Sequence, residues 1–359
     1  MAGEKKDFAI IESGGKPASK EDEEILALLK DSVPKVVVVG AGGSGSNTIN
    51  RMHEVGIAGA KIVAANTDAQ HLLTISCDKK MLLGRKKTRG LGAGSNPEVG
   101  EAAAEEVLED LKALFTGIDL VFVTCGMGGG TGTGSAHVFA REAKKAGALV
   151  IGVVTLPFAS EGTKRMRNAL EGLEKLRKEA DTTIVIPNDK LLFFVPDLPL
   201  NAAFKVADSV LTNSVKGIAE LITKPGLVNL DFADVRTILG GSGTAVIGLG
   251  EAGNAEQRDR VVQAAEKALS SPLLDLDLKA ANKALINITG GSDMTLGEAE
   301  AAVQAISKHM AKDAHIIWGA NVDDSKDAGI RVLAVMAGIT PHLDSGAAED
   351  VEELSLDFV

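Results

Sequence analysis

The chain has 359 residues, of which 45% are hydrophobic and 24% are charged, a composition typical of a globular protein with room for two domains. A formal net charge of −11 argues against a nucleic-acid partner, because nucleic-acid-binding surfaces are strongly basic. No run approaches the roughly 18 apolar residues of a membrane span and the first residues lack an apolar signal-peptide core, so we expect a cytoplasmic protein without direct membrane insertion.

Strand-like and helical patterns alternate along the first half of the chain. Residues 1–34 are predicted to form a polar arm and a short helix. The apolar runs that follow lie at residues 36–39, 61–65, 81–83, 120–124, 148–156 and 183–186. Several are apolar throughout, as in parallel strands that are covered on both faces. Residues 35–199 are therefore predicted to form an α/β domain with a doubly wound, Rossmann-like parallel sheet, which binds ligands beyond the carboxyl ends of its strands.

A long helix separates this domain from a second unit. Residues 200–223 keep apolar residues at helical spacing, and the Lys-Pro-Gly that follows ends the helix. The second unit, residues 224–340, is predicted to be a smaller α+β domain with a mixed sheet. Its predicted strands lie near 244–249, 283–289, 315–319 and 331–337, and its predicted helices near 257–270 and 295–312. Residues 341–359 are acidic, contain no Lys or Arg, and are predicted to form a flexible tail.

The first glycine cluster, GAGGSG at residues 40–45, follows a predicted strand and precedes a predicted helix. It fits the dinucleotide-binding pattern GxGxxG, and Asp68 at the end of the second strand fits the acidic residue of that fingerprint. On these residues alone, a nicotinamide-dependent oxidoreductase is a serious alternative.

A second cluster, GMGGGTGTGS at residues 126–135, lies between a predicted strand and a helix expected from about Ser135. It offers a second set of free N–H groups for an anion, while Thr131 and Thr133 add hydroxyl groups. It contains no lysine and so is not a Walker A loop. A third loop at residues 90–97 could close on the same anion. Three such loops favour a nucleoside triphosphate, its charge neutralised by backbone dipoles, hydroxyls and Mg²⁺.

Together these segments resemble the FtsZ family, the tubulin-like GTPases of cell division, and most closely the archaeal type. The resemblance covers roughly residues 35–340. The segments that carry it are residues 40–47, 66–70 (NTDAQ), 90–97, the GGGTGTG signature at 128–134, 229–234 (NLDFAD) and the long helix. It implies the tubulin/FtsZ GTPase fold, with a GTP-binding domain, a central helix and a C-terminal activation domain.

The resemblance also implies which residues bind GTP or GDP. Glu161 and Arg165 match the pair that contacts ribose. Asn188, Phe204 and Asp208 match the guanine pocket, where Phe204 can stack on a purine and Asp208 can accept from guanine N1–H and N2–H. The residues that it places at the phosphates or beside them are Gly42, Gly43, Ser44, Gly45, Ser46, Asn47, Asp68, Gly94, Ser95, Asn96, Gly128, Gly129, Gly130, Thr131 and Gly132.

Catalysis is assigned through the same resemblance. Asp231 and Asp234 match the loop that completes the nucleotide site of the next subunit, where they would orient the attacking water. Head-to-tail contact of this kind gives filaments, expected here to form a cytokinetic ring at the division site. Membrane-anchor or division adaptor proteins that bind the tail, and a paralogous FtsZ, are further candidate partners. A non-division tubulin-like filament protein remains an alternative, as does the oxidoreductase.

Overall fold

The computed structural model describes residues 33–191, 200–224, 226–228, 230–253, 259–274, 278, 281–323 and 329–338. The predicted N-terminal helix and the acidic tail lie outside these ranges. The strands are β1 (Val36–Ala41), β2 (Ala60–Asn66), β3 (Lys79–Leu82), β4 (Leu120–Gly126), β5 (Leu149–Leu156), β6 (Thr182–Pro187), β7 (Gly243–Ala252), β8 (Lys283–Gly290), β9 (His315–Val322) and β10 (Ile330–Ala337).

The α-helices lie between these strands. They are α1 (Gly42–Val55), α2 (Ala69–Thr74), α3 (Pro97–Glu105), α4 (Leu108–Phe115), α5 (Thr131–Lys145), α6 (Thr163–Glu179), α7 (Asn188–Leu191), α8 (Leu200–Thr223), α9 (Phe232–Leu239), α10 (Arg260–Leu269) and α11 (Leu296–Ser307). Within the described ranges, no helix combines the length and the apolarity needed to cross a bilayer.

All ten strands form one sheet in the order β3-β2-β1-β4-β5-β6-β7-β10-β8-β9. Every neighbouring pair from β3 to β7 is parallel, whereas β10 pairs antiparallel with both β7 and β8. The predicted α/β class is confirmed, and so is the mixed character of the second half. The two halves of the sheet meet where β6 pairs with β7. These two strands pair over three residues each, from Thr182–Gly243 to Ile184–Ala245.

The strands are apolar on both faces because helices cover both faces. Val36 and Val38 belong to the core that includes Ile49 of α1 and Val215 of α8. Val37 and Val39, which point to the other face of the same strand, belong to the core under α4, α5 and α6. The alternation of β1 side chains thus explains the unbroken apolar run in the sequence.

Helix α8 runs from the carboxyl ends of the parallel strands to their amino ends. Its bounds, Leu200–Thr223, agree with the sequence prediction. Asp208, near its start, lies beside Thr48 of α1. Thr223, at its end, donates through Oγ1 to the Ala58 carbonyl at 2.7 Å, just before the first residue of β2. A helix of this length extends about 36 Å, so its two ends serve opposite edges of the sheet.

Helix α5 begins at Thr131, four residues earlier than predicted. Its glycines are inside the helix, where they allow close packing. A Cβ on Gly134 would lie 2.0 Å from the Pro97 carbonyl oxygen, and one on Gly132 would lie 3.0 Å from that of Ala41. The glycine content predicts a loop up to about Ser135, whereas in the structure it permits helix-to-helix and helix-to-strand contact.

Candidate functional site

The two glycine clusters meet at the carboxyl ends of the parallel strands. Helix α1 begins directly after β1, and α5 begins shortly after β4. Gly42 has φ +72°, and a Cβ there would lie 2.7 Å from the backbone nitrogen of Gly132. The start of α1 and the start of α5 are therefore in direct backbone contact, and both helix N-termini open at the same place.

The first predicted phosphate loop is the first turn of α1. Its members lie within or directly at the start of that helix: Gly42, Gly43, Ser44, Gly45, Ser46 and Asn47. Gly43 and Asn47 are exposed, while Gly45 and Ser46 are buried. The exposed pair is four residues apart and so lies on one face of the helix.

Most of the glycines at this site are required by close packing or by a positive φ, but Gly43 and Gly129 are required by neither. A Cβ on Gly45 would lie 2.5 Å from the Thr124 carbonyl oxygen. Gly43 and Gly129 have negative φ, and a Cβ on either would have nothing within 4 Å. Among the described residues no neighbour requires glycine at these two positions. They leave open space where a ligand could approach the backbone.

The third predicted loop lies against the signature segment. Gly94 and Ser95 both have positive φ, at +58° and +59°. Asn96 caps α3 by accepting from the Glu98 N–H at 2.9 Å. A Cβ on Gly130 would lie 2.9 Å from the Asn96 backbone nitrogen. The structure thus brings all three predicted loops together at one edge of the sheet.

The signature hydroxyls are engaged within the protein. Thr131 Oγ1 lies 2.6 Å from Thr67 Oγ1 at the end of β2. Thr133 Oγ1 accepts from the Gly128 N–H at 2.9 Å. Gly128 itself has φ +95°, a conformation that favours glycine. These contacts help to fix the loop geometry, and the predicted role of the two threonines as ligand donors stays a prediction.

Asp68 serves as a helix cap. Its Oδ1 accepts from the His71 N–H at 3.0 Å, which satisfies a free donor at the start of α2. Its backbone forms an isolated bridge with Leu91, so that it also ties β2 to the third loop.

The predicted ribose pair lies beside the signature loop. Arg165 Nε is 3.0 Å from Glu161 Oε2, and Glu161 Oε1 accepts from the Phe158 N–H at 2.8 Å. A Cβ on Gly128 would lie 2.7 Å from the Arg165 backbone oxygen. The chain at the start of α6 therefore packs directly on the signature loop.

An aromatic pair marks the predicted base pocket. Phe204 on α8 is 39% exposed, whereas Phe158 after β5 is buried. Their rings meet edge to face, with centroids 5.4 Å apart. Sequence reasoning missed Phe158, although its position directly after the β5 run and three residues before Glu161 could have indicated it. The Phe158 ring thus supports Phe204, which stays partly exposed.

Asn188 and Asp208 are the polar residues predicted for this pocket. Asn188 is buried, and its Oδ1 has no hydrogen-bond partner among the described residues. Burial raises the pKa of Asp208 to about 6, and the neighbouring Thr48 hydroxyl offsets part of that rise. A buried acceptor and a desolvated carboxyl beside an exposed aromatic ring form an arrangement suited to a heterocyclic base with N–H donors.

The structure does not bring Asp231 and Asp234 to this site. Asp231 caps α9 by accepting from the Ala233 N–H at 3.1 Å, and Asp234 is exposed in the first turn of α9. Both residues follow the end of α8 that lies at the amino ends of the parallel strands. The three loops lie at the carboxyl ends of these strands. Within one chain the predicted catalytic carboxylates and the phosphate loops are at opposite ends.

The described part of the chain contains no group of three or more His, Cys, Asp or Glu side chains that could hold a metal ion.

Two family models match the chain in successive segments. The model for the GTPase domain of the tubulin/FtsZ family matches residues 35–196. The model for the C-terminal domain of the FtsZ family matches residues 243–340. The first segment contains the three loops, and the second follows α9.

Archaeal relatives match over nearly the whole chain. The cell division protein FtsZ of Methanothermobacter thermautotrophicus is 53% identical over 335 residues, which covers 93% of this chain and 87% of the relative. Cell division protein FtsZ 1 of Methanocaldococcus jannaschii is 50% identical over 342 residues, or 93% of each chain.

Solved structures agree with these matches. An FtsZ dimer of M. jannaschii superposes with a TM-score of 0.85 at 52% identity, covering 90% of this chain and 93% of that one. A GTPγS-bound protofilament of CetZ2 from Haloferax volcanii has a TM-score of 0.75 at 20% identity, covering 90% and 99%, and indicates a shared fold alone. The comparisons favour the tubulin-like GTPase interpretation over a nicotinamide-dependent oxidoreductase.

Proposed function

The chain belongs to the FtsZ family of tubulin-like cell-division GTPases, and from that premise we propose that it hydrolyses GTP only at the junction between two copies. The nucleotide would bind at the three loops of one copy, and Asp231 and Asp234 of the next copy would complete the site. The observation that carries this proposal is the separation of these two parts within one chain by the length of α8.

The guanine end of the nucleotide would lie against Phe204. Asp208 would accept from guanine N1–H and N2–H, and the free Oδ1 of Asn188 offers a further acceptor. Adenine lacks this pair of donors, so that its binding would leave buried acceptors unpaired and cost about 10⁴-fold in affinity. The Glu161–Arg165 pair would lie at the ribose.

The phosphates would lie at the start of α1 and α5, where two helix N-termini converge and where Gly43 and Gly129 leave space. Mg²⁺, held by phosphate oxygens and water, would supply charge neutralisation at the phosphates. Ser46, whose buried Oγ has no partner among the described residues, is available to a ligand there.

Asp234 and Asp231 would act on water. Both are exposed carboxylates at the start of α9, where a neighbouring subunit could reach them. A carboxylate that positions or deprotonates the attacking water contributes about 10²- to 10⁴-fold to the rate. Such a contact joins two different surfaces and so repeats into a filament.

The test uses two inactive variants. Asp234→Ala is expected to bind GTP like the wild type and to lose at least about 100-fold of its turnover, while Asp208→Ala is expected to lose GTP binding. Mixing the two should restore phosphate release, because the first supplies bound GTP and the second supplies the carboxylate. Asp313→Asn, an exposed aspartate elsewhere in the second half, is the matched control.

Two outcomes would overturn the shared site. One is full turnover by Asp234→Ala alone. The other is wild-type turnover per subunit that does not depend on protein concentration, since a site made by two copies must need both.

By family membership we further place these filaments in a mid-cell ring, with adaptor proteins bound to residues 341–359. A fluorescent fusion with and without these residues tests both points. A diffuse signal from the full-length fusion would contradict the ring, and an unchanged ring without the tail would contradict the adaptor role.

A further inference from the structure

A chain of hydrogen bonds connects the end of β2 to the first turn of α1. The Asp68 N–H lies 3.2 Å from Asn66 Oδ1. Asn66 Nδ2 lies 3.1 Å from His71 Nδ1, and His71 Nε2 lies 3.0 Å from Asn47 Oδ1. His71 is the only member on α2, and its imidazole is the bridge between the other two elements.

The direction of every bond in this chain follows from its first member. A backbone N–H can only donate, so the Asn66 oxygen faces Asp68 and the Asn66 amide N–H faces His71. His71 Nδ1 must then accept, which places the ring proton on Nε2. That proton is donated to Asn47 Oδ1. The oxygen of Asn47 is thereby occupied, and its two amide N–H groups remain for another acceptor.

Asn47 lies where an anion would bind. It is exposed, it is four residues after Gly43 on the same face of α1, and a Cβ on Gly43 would meet nothing within 4 Å. The Asn47 amide can offer either a donor or an acceptor to this space, and only the donor side attracts a phosphate oxygen. A free Asn side chain can rotate to present either its oxygen or its N–H groups. The hydrogen bond from His71 Nε2 to Asn47 Oδ1 holds one of these two orientations.

We propose that His71 is a positioning residue that holds the Asn47 amide with its N–H groups toward the phosphates of a bound guanine nucleotide. The proposal rests on the proposed function, because it needs a nucleotide whose phosphates lie at α1. His71 does not touch the nucleotide and acts through Asn47. It therefore affects binding of the phosphates and leaves binding of the base unchanged.

A pair of substitutions separates the two ring nitrogens. His71→Gln places an amide N–H near the position of Nε2 and can keep the bond to Asn47, whereas His71→Asn reaches only toward Asn66. We expect His71→Gln to retain nearly all of the affinity for GTP and GDP. His71→Asn and His71→Ala should each weaken both by about threefold to tenfold. Binding of guanosine, which has no phosphate, should not change in any of them.

Dependence on Asn47 is tested by a double-mutant cycle. If His71 acts through Asn47, then adding His71→Ala to Asn47→Ala causes no further loss of GTP affinity. His53→Ala, which removes an exposed histidine from α1 itself, is the matched control and should bind all three ligands like the wild type.

Three results would overturn the proposal: equal losses for His71→Gln and His71→Asn, an equal loss of guanosine binding, or additive losses in the double variant. Asn47→Ala with wild-type affinity for GTP would also overturn it while leaving the proposed function intact. If the wild type itself binds neither GTP nor guanosine, the proposed function is what fails.

Discussion

Asp208 combines a proposed role in base recognition with an environment that disfavours its charged form. Its folded pKa of about 6 lies above the ordinary 3.8 because burial disfavours the carboxylate. At neutral pH the carboxyl is therefore ionised at a cost in folding free energy. In the proposed function, the same desolvation makes the Asp208 carboxylate a strong acceptor for a base that brings N–H donors. The group that lowers the folding free energy would then be the one that recognises the base.

Asp208→Asn is accordingly expected to stabilise the nucleotide-free protein at neutral pH while abolishing guanine binding. Between pH 3.8 and about 6 the folded state binds more protons than the unfolded state, so wild-type stability falls as the pH rises through this window. Above it the cost is fully present. A shift of two pKa units corresponds to roughly 3 kcal/mol, and we expect about 1–2 kcal/mol because the side chain is only partly buried.

Urea unfolding of the nucleotide-free proteins at pH 7.5 and pH 4.5 measures this difference. The gain for Asp208→Asn should be largest at pH 7.5 and about a third as large at pH 4.5, which lies inside this window. Asp313→Asn, at an exposed position, is the matched control. A variant that is less stable than the wild type at pH 7.5 would contradict the burial argument.

At the scale of elements, glycine has two separate roles in the signature. Gly134 lies inside α5 and lets α3 approach, because any Cβ would lie 2.0 Å from the Pro97 carbonyl oxygen. Gly129 precedes the helix and has no neighbour within 4 Å of its Cβ position. The first glycine serves the fold, and the second leaves space at the site.

Alanine substitutions should separate these roles. Gly134→Ala is expected to destabilise the protein by about 1–3 kcal/mol or more, through forced movement of α3. Gly129→Ala is expected to leave the melting temperature within about 1 °C of the wild type and to weaken GTP binding. Thermal unfolding without nucleotide and GTP titration of each variant make the comparison. Equal melting temperatures, or undiminished GTP affinity of Gly129→Ala, would refute the distinction.

The sequence was sufficient to predict the order and type of the elements. All ten strand predictions and the bounds of α8 are confirmed, because unbroken apolar runs and helical spacing report burial directly. The sequence did not predict the start of α5, because a single sequence does not distinguish glycine inside a helix from glycine in a loop. The role of His71 depends on its contact with Asn47, which lies 24 positions away in the chain, and no local pattern encodes that contact.

At the scale of the whole molecule, the twist of the sheet decides which strand ends lie at the same end of the protein. Roughly 20–25° per strand pair accumulates over ten strands to about a half turn. Leu221, near the end of α8, packs against Gly319 in β9, and Thr223 contacts Ala58 before β2. The carboxyl ends of β8 and β9 thus share one end of the molecule with the amino ends of β1 and β2, opposite the three loops.

Exposed apolar side chains lie at both of these ends. Leu73 and Leu91, at 77% and 86% exposure, lie beyond the carboxyl end of β2 beside the loops. Leu227, Leu296 and Val322, at 57%, 58% and 40%, lie near the carboxyl ends of β8 and β9. Apolar groups that remain exposed at two opposite ends are suited to mutual burial when copies stack head to tail.

Leu91→Ser and Leu227→Ser are therefore expected to raise the critical concentration for GTP-dependent assembly. Each buried leucine contributes about 1.5–3 kcal/mol, so either change should raise that concentration at least about tenfold. GTP binding to the dilute monomer should remain unchanged, because neither side chain belongs to the proposed nucleotide contacts. Sedimentation against protein concentration measures assembly, and Lys308→Ser, at an exposed position directly after α11, is the surface control. Assembly of both leucine variants at the wild-type concentration would show that these ends do not form the contact.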